Sequence, residues 1–246
     1  MIRLVLFDID GTLIRTGGAG VRAFDRTGEL EFGIRNGASH MRFAGRTDTS
    51  LVREFFASHG LDPSPVNFER FFSRYLFLLD HLLTQASGRV CDGVWDFIRS
   101  LRTLPPPPML GLLTGNVRLG AEIKLRHFSL WDLFDVGAFG DDHECRNELA
   151  TLAQRRGGTA LGRPLCEGET LVVGDTPFDI ECGRAIGARV LAVATGGATL
   201  DALRRHRPDW AVADLTRTTA GEINAPKPTS AGPGRPRVTS SQTPAC

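Results

Sequence analysis

The sequence has no long hydrophobic run and no excess of charge of either sign. Its first apolar stretch, within MIRLVLFDID, is about six residues long, whereas a membrane-spanning helix needs about 20 apolar residues. The 29 lysines and arginines nearly balance the 28 aspartates and glutamates, and the two signs are interspersed along the chain. We therefore expect a cytoplasmic protein with no nucleic-acid partner and no membrane partner.

Cysteine and histidine are scarce and show no metal-binding spacing. The five cysteines are odd in number and none belongs to a CxxC motif, which favours reduced thiols over disulfides. Among the six histidines, His143 precedes Glu144, but the second histidine of an HExxH zinc motif is missing. The sequence therefore does not predict a metal site built from thiolates or imidazoles.

Four short apolar runs alternate with segments of helical periodicity. The runs cover residues 2–7, 109–113, 170–173 and 189–194, and each is apolar enough to be buried on both faces of a sheet. Alternation of this kind indicates parallel strands connected by helices. We therefore expect an α/β fold with a Rossmann-like, doubly wound parallel sheet.

Two parts of the chain do not fit this alternation. Residues 15–88 contain no strand-like run, but apolar and aromatic residues recur there at helical spacing. They are expected to form a separate helical unit, inserted into an α/β core of residues 1–14 and 89–216. From residue 217 onwards proline, threonine, serine, glycine and arginine dominate, so residues 217–246 are expected to form a disordered tail.

Polar segments follow three of the predicted strands. DIDGT at residues 8–12 follows the first strand, TGN at 114–116 follows the strand at 109–113, and GDTPFD at 174–179 follows the strand at 170–173. Ligands of open parallel sheets bind beyond the carboxyl ends of the strands, where these segments would meet. Three polar segments in this order therefore indicate a single site.

The acids in these segments predict a metal site. Asp8, Asp175 and Asp179 would bring like charges to one edge of the sheet, which is unfavourable unless a cation neutralises them. Ligands that are all oxygens favour a hard ion, and Mg²⁺ suits a site that also binds phosphate and water. Mg²⁺ is therefore the expected cofactor.

The same arrangement suits attack on a phosphate ester. A bound cation would screen Asp8, so that its carboxylate could attack phosphorus. Asp10 could protonate the leaving oxygen and then activate water. The Thr114 hydroxyl and the amides of Gly115 and Asn116, expected at a helix N-terminus, would hold the phosphate oxygens.

DIDGT, LLTGN and GDTPFD, with a helical insert after the first of them, resemble the motifs of the haloacid dehalogenase superfamily. More narrowly, the chain resembles the phosphatase branch with a helical cap of the first type, as in phosphoglycolate phosphatase-like proteins. The resemblance covers roughly residues 2–215 and makes residues 15–88 the cap. It implies a Mg²⁺-dependent hydrolase that acts on a small phosphorylated metabolite.

The resemblance also implies roles for individual residues. It makes Asp8 the nucleophile that forms an aspartyl-phosphate, and Asp10 the acid and base whose backbone carbonyl also binds Mg²⁺. Thr114 matches the phosphate-binding residue and Asp175 the metal-binding acid, while Asp179 would support the metal, often through water. An aspartate at position 10 points to phosphate ester chemistry, because the dehalogenases of the family lack it.

In the family, a lysine pairs with both the nucleophile and the phosphate. Two residues of this chain are candidates for its place. Arg146 stands at the expected place before the last motif, and a guanidinium can hold phosphate through two hydrogen bonds. Lys124 is expected about 12 Å from the strand ends by helix rise, which is nearly too far for its side chain. Arg146 is therefore the preferred candidate, with Lys124 as the alternative.

The segment Gly45-Arg46-Thr47-Asp48 precedes a predicted helix of the cap. Thr47 or Asp48 is most simply the N-cap of this helix. Arg46 could instead face the substrate and contribute to specificity.

Two other functions stay open at this point. A mutase of the same fold would use the same residues but would pass the phosphoryl group to a second alcohol, which depends on how the cap excludes water. A non-catalytic regulatory module would only hold the metal ion. The second alternative predicts loss of Asp8 or Asp10, and both residues are present.

Overall fold

The computed structural model describes residues 1–225, and a parallel sheet lies at its centre. The strands in the described residues are β1 (Leu4–Phe7), β2 (Ile14–Arg15), β3 (Arg89–Val90), β4 (Met109–Leu113), β5 (Val136–Ala138), β6 (Thr170–Gly174), β7 (Arg189–Val193) and β8 (Trp210–Val212). Six of them form one sheet in the order β5-β4-β1-β6-β7-β8, and β2 pairs with β3 in a separate antiparallel ladder. The prediction of a parallel α/β sheet is confirmed.

Both faces of the central strand are covered, as a doubly wound sheet requires. Val5 and Phe7 of β1 belong to one hydrophobic cluster, whereas Leu4 and Leu6 belong to another. All four side chains are fully buried, because successive residues of a strand point to opposite faces. The continuous apolar run at the start of the sequence is explained by this double burial.

The register of β1 determines where the site forms. Phe7 lies opposite Leu112 of β4 on one side and opposite Val173 of β6 on the other, and both pairings are parallel. The residues that follow these three strands therefore leave the sheet at the same edge. This edge is where ligands of such folds bind.

Helices connect the strands and cover the sheet. They are α1 (Ala19–Phe32), α2 (Asp48–Ser58), α3 (Pro65–Leu83), α4 (Val94–Arg102), α5 (Arg118–His127), α6 (Arg146–Ala160), α7 (Pro177–Ala185), α8 (Leu200–Arg205) and α9 (Ala220–Asn224). Proline is the first residue of both α3 and α7, a position at which its missing N–H has no cost. Among residues 1–225, no helix combines the length and the apolar character that a membrane crossing needs.

Helices α1, α2 and α3 share an aromatic core of their own. Phe24, Phe55 and Phe71, one from each helix, have ring centroids 4.8 to 5.8 Å apart. All three rings are buried, in a hydrophobic cluster distinct from those of the sheet. This separate core supports our proposal that residues 15–88 form a cap on an α/β core of residues 1–14 and 89–216.

The first residues of the predicted tail are folded, which corrects the expectation that disorder begins at residue 217. In α9, Thr219 and Glu222 form a reciprocal capping box, and Ile223 is fully buried. The side chain of Asn224 accepts the backbone N–H of Ile2 at 2.9 Å. A local cap and one buried isoleucine are enough to order this segment, although its composition gives no sign of them. The rest of the predicted tail, residues 226–246, lies outside the described residues.

Candidate active site

The segments that follow β1, β4 and β6 meet at one cavity. Asp8 and Asp10 after β1, Thr114 after β4 and Asp175 after β6 all line this cavity, whose volume is about 460 Å³. The backbone N–H of Asp8 donates to the carbonyl oxygen of Val173 at 2.9 Å, which extends the sheet to the edge of the site. Residues that are more than 100 positions apart in the chain are therefore brought together by the sheet register.

Asp8, Asp175 and Asp179 form a buried cluster of carboxylates. One oxygen from each side chain lies within 4.8 Å of the others. Burial raises the pKa of Asp8 to about 6; Arg146 opposes this rise, and repulsion from Asp179 adds to it. Burial also raises the pKa of Asp175, and repulsion from Asp8 and Asp179 adds to this rise. Buried acids that resist joint ionisation and offer only oxygens fit a hard divalent cation such as Mg²⁺.

Asp179 already has protein partners at both carboxylate oxygens. Its Oδ2 accepts the backbone N–H of Thr176 at 2.9 Å and the hydroxyl of Thr176 at 2.7 Å, which closes the capping box of α7. Its Oδ1 accepts Nη2 of Arg146 at 2.5 Å. These contacts favour a supporting role for Asp179 beside the metal ligands rather than direct ligation.

Arg146 is the first residue of α6 and lies deep in the site, with 8% of its surface exposed. Its Nη2 is 3.1 Å from Oδ1 of Asp8, in addition to its contact with Asp179. Burial lowers the pKa of Arg146, but the two carboxylates raise it more, so the net direction is upward. Its buried Nε has no hydrogen-bond partner in the part of the chain that the structure describes.

Lys124 also reaches the site, contrary to the expectation that it lies nearly too far away. Its Nζ is 2.6 Å from Oδ2 of Asp10 and 2.5 Å from Oδ1 of Asn116, and only 5% of its side chain is exposed. Because α5 begins only at Arg118, Lys124 is about 9 Å along the helix, a distance that an extended lysine can span. The two cationic candidates therefore contact different acids, Arg146 at Asp8 and Lys124 at Asp10.

The loop between β4 and α5 lies ahead of the helix rather than in its first turn. Gly115 and Asn116 precede the N-cap residue of α5, Val117, whose backbone is still extended. The Thr114 hydroxyl oxygen accepts the side-chain N–H of Asn116 at 2.8 Å, which leaves its own proton free to donate. The same Asn116 amide also donates to Oδ2 of Asp10 at 2.8 Å. Gly115 and Asn116 therefore lie in a hydrogen-bonded loop directly before the N-terminus of α5.

The segment at the start of α2 helps to line the cavity, and the sequence predicts only some of its contacts. Thr47 is the N-cap of α2, as one of the two alternatives predicted, and accepts the backbone N–H of Ser50 at 3.3 Å. Arg46 lines the cavity, but its guanidinium pairs with Glu54. Asp48, for which the sequence predicts only a role as helix cap, also lines the cavity.

Asp48 fastens α2 to the loop that follows β4. Its backbone N–H donates to the carbonyl of Gly115 at 2.7 Å, and its Oδ2 accepts the backbone N–H of Val117 at 2.9 Å. Part of Asp48 remains exposed, yet removal from water raises its pKa to about 6, which Lys124 only partly opposes. A contact between two segments so far apart in the chain leaves no local signal in the sequence.

We expect Asp48→Asn to stabilise the protein at neutral pH but not near pH 4. The raised pKa means that the folded protein binds this proton more tightly than the unfolded chain. Stability of the wild type therefore falls as the pH rises from about 4 through about 6, and a neutral asparagine avoids that loss. At about 1.4 kcal/mol per pKa unit the gain is at most about 3 kcal/mol, and partial exposure reduces it.

Thermal unfolding of the wild type and Asp48→Asn, followed from pH 4 to pH 7.5, tests this expectation. The asparagine retains an acceptor for the Val117 N–H, so the difference in Tm should grow with pH. A difference in Tm that does not change with pH would contradict it.

Gly196 lies against the Asp175 carboxylate and leaves no room for a side chain. A Cβ at Gly196 would be 1.6 Å from Oδ2 of Asp175. We expect Gly196→Ala to displace Asp175 and to weaken Mg²⁺ binding, measured by calorimetry, by at least about 10-fold. Gly197→Ala is the matched control, because a Cβ there meets no described atom within 4 Å beyond its chain neighbours. Equal Mg²⁺ affinity in the two variants would contradict the hypothesis that Asp175 is a metal ligand.

Comparison with known proteins gives consistent matches over most of the chain. A family model described as haloacid dehalogenase-like hydrolase matches residues 5–193. The pyrophosphatase PpaX of Halalkalibacterium halodurans is 26% identical over 215 residues, which cover 87% of this chain and 94% of that protein.

Two solved structures share the fold. A predicted phosphoglycolate phosphatase from Haemophilus somnus has a TM-score of 0.68 at 18% identity, with 87% of this chain and 95% of that chain covered. A hydrolase described as family IA, variant 3, from Entamoeba histolytica has a TM-score of 0.70 at 17% identity, with 91% and 97% covered. At these identities the structural likeness establishes the fold alone.

Proposed function

The chain belongs to the haloacid dehalogenase-like hydrolases, and we propose that it hydrolyses a phosphate monoester of a small metabolite through an aspartyl-phosphate on Asp8. The observation that carries this proposal is the position of Asp8. It lies in a buried acidic cluster that fits a divalent cation, beside the guanidinium of Arg146 and in the same cavity as Asp10. Asp8, Asp10 and Asp175, the residues proposed as nucleophile, acid and metal ligand, therefore all line one cavity.

The proposed reaction has two steps. A carboxylate oxygen of Asp8 forms a bond to phosphorus, the bond from phosphorus to the ester oxygen breaks, and Asp10 gives its proton to the departing alcohol. In the second step Asp10 takes a proton from water as the water oxygen attacks phosphorus. The bond to Asp8 then breaks, and inorganic phosphate and the original carboxylate are formed.

Asp8 and Asp175 would hold Mg²⁺ together with the backbone carbonyl of Asp10, and Asp179 would support them. When bound, the ion would neutralise charge, so that a carboxylate and an anionic ester can approach each other. The all-oxygen donor set and the raised pKa values of Asp8 and Asp175 support this assignment.

Three groups are suited to hold the phosphoryl oxygens. The Thr114 hydroxyl has its proton free to donate, and the Gly115 amide lies in the same loop. Arg146 lines the cavity and its guanidinium lies beside Asp8, so it is suited to bind a phosphoryl oxygen there. Arg146 thereby takes the place of the family's lysine in this proposal, while Lys124 orients Asp10.

Release of phosphate from a generic ester, p-nitrophenyl phosphate, tests the proposal. We expect turnover with Mg²⁺ that EDTA abolishes and added Mg²⁺ restores. One phosphate released per ester consumed indicates hydrolysis, whereas p-nitrophenol released in excess of phosphate when an acceptor alcohol is added would indicate phosphoryl transfer by a mutase. Absence of Mg²⁺-dependent turnover would overturn the proposal in favour of a non-catalytic module.

A further inference from the structure

One wall of the cavity is apolar and has no part in the proposed chemistry. It is formed by α1, α2, α3 and the loop before α2, and includes Val21, Phe24, Phe43, Leu51 and Tyr75. Phe24 joins two of the other rings, with centroids 5.2 Å from Phe43 and 6.4 Å from Tyr75. The part of the substrate that faces α1 to α3 therefore meets mainly hydrocarbon and aromatic surface.

Three of the four cationic residues that line the cavity are paired with acids. Among the described residues that line it, Arg146 and Lys124 pair with site acids, and Arg46 pairs with Glu54. Arg15 donates both its Nε, at 2.7 Å, and its Nη2 to a backbone carbonyl after β7. Arg15, on β2, has no acidic partner among the described residues, but it is not part of the apolar wall. A second anionic group that packs against this wall would therefore lose its water without gaining an unpaired cation there.

The apolar wall also carries an acid. Asp48 lies in the cavity on the same side as Leu51 and Tyr75, and its negative charge would repel a carboxylate or a second phosphate. The hydroxyl of Tyr75 and Nζ of Lys124 lie 3.8 and 3.7 Å from the Cβ position of Gly20, so Tyr75 also offers one uncharged polar group near the phosphate end. Charge and surface chemistry on this side both favour a neutral leaving group.

Resting on the phosphatase function proposed above, we propose that the substrate is a phosphate monoester of an uncharged, largely apolar alcohol. Its phosphoryl group lies among Asp8, Thr114 and Arg146, and its alcohol portion packs against Phe24, Phe43 and neighbouring side chains. The cavity, at about 460 Å³, lies within the range of roughly 300–1,000 Å³ typical of sites for small organic ligands. Pyrophosphate and phosphoglycolate, which carry a second anionic group, do not fit this wall.

The inference is tested at constant Mg²⁺ by comparing a phosphate ester of an apolar alcohol with substrates that carry a second anionic group. We expect kcat/KM for 2-phenylethyl phosphate to exceed that for phosphoglycolate and for pyrophosphate by at least about 10-fold, the scale of a lost apolar contact. A higher kcat/KM for phosphoglycolate or for pyrophosphate than for 2-phenylethyl phosphate would overturn the inference and leave the phosphatase function intact. Absence of turnover with every compound would overturn the proposed function itself, and this inference with it.

A charge placed in the apolar wall provides a second test. Val21 lines the cavity and is 45% exposed, so Val21→Arg should not disturb the core of α1 to α3. We expect this variant to raise kcat/KM for phosphoglycolate and to lower it for 2-phenylethyl phosphate, changing their ratio by about 10-fold or more. Leu30→Arg is the matched control, because Leu30 is 47% exposed on the same helix but does not line the cavity. The same ratio in both variants would overturn the inference.

Discussion

Asp8→Asn is expected to lower kcat/KM by at least about 10⁴-fold while the protein remains folded. The loss follows because a neutral amide cannot attack phosphorus as a carboxylate does. Folding should not suffer, because asparagine keeps an oxygen for Arg146 and removes a charge whose burial raises the pKa of Asp8 to about 6. The expected result is thus a large fall in kcat/KM with an unchanged or raised Tm, measured by steady-state kinetics and thermal unfolding.

The control for this change is Asp96→Asn on α4. The Asp96 side chain is 82% exposed and pairs only with Arg99 among the described residues, so its loss should leave kcat/KM unchanged. If Asp8→Asn retained activity within about 10-fold of the wild type, another residue would have to be the nucleophile. A fall in activity accompanied by a large fall in Tm would instead indicate a structural role.

Arg146→Met is expected to lower kcat/KM by about 10² to 10³-fold and to destabilise the protein by about 3–5 kcal/mol. Methionine fills similar space but leaves Asp8 and Asp179 without their buried cation. Arg146→Lys restores a positive charge at the same place, so it should recover most of the stability. It should lose only about 10-fold in kcat/KM, since an ammonium lacks the paired donors of a guanidinium.

Steady-state kinetics and urea unfolding of both Arg146 variants distinguish the effect of the positive charge from the effect of the guanidinium's paired donors. Lys124→Met serves as the comparison, because Lys124 contacts Asp10 rather than Asp8. If Arg146→Met kept wild-type kcat/KM while Lys124→Met lost it, Lys124 would hold the role that we assign to Arg146. Equal activity in Arg146→Met and Arg146→Lys would show that a charge at this position is unnecessary.

The sequence predicts the centre of the fold better than its margins. The runs that become β1, β4, β6 and β7 are apolar because both faces of each strand are buried, and this burial is visible as composition. Strands β5 and β8 have three residues each and lie at the two sides of the sheet, so neither forms a recognisable run. Residues 217–225 were missed because one buried isoleucine and a capping box do not alter the composition.

For the site, too, the sequence predicts the residues at strand ends better than contacts between segments distant in the chain. Asp8, Thr114 and Asp175 each directly follow a strand that the sequence reveals, and Asp10 lies two residues after Asp8, so the sequence could place all four at one edge of the sheet. The contact of Lys124 with Asp10 depends on where α5 begins, which helix periodicity does not locate to the residue.

The position of Asp48 depends on how α2 packs against the loop after β4. The apolar wall formed by Phe24, Phe43 and Tyr75 likewise depends on how α1 to α3 pack, because a helical stripe of aromatics alone indicates only a core. Contacts between segments distant in the chain are therefore what the sequence could not supply.

The central claim is that Asp8 takes up the phosphoryl group, and trapping the phosphoenzyme tests it most directly. Asp10→Asn should slow the attack of water, so that acid quenching after mixing with p-nitrophenyl phosphate and Mg²⁺ preserves the intermediate. Mass spectrometry of the digested protein should then place one phosphoryl group on Asp8, and none should appear in Asp8→Asn. A phosphoryl group on another residue, or none in an Asp10→Asn variant that still releases p-nitrophenol, would contradict the account.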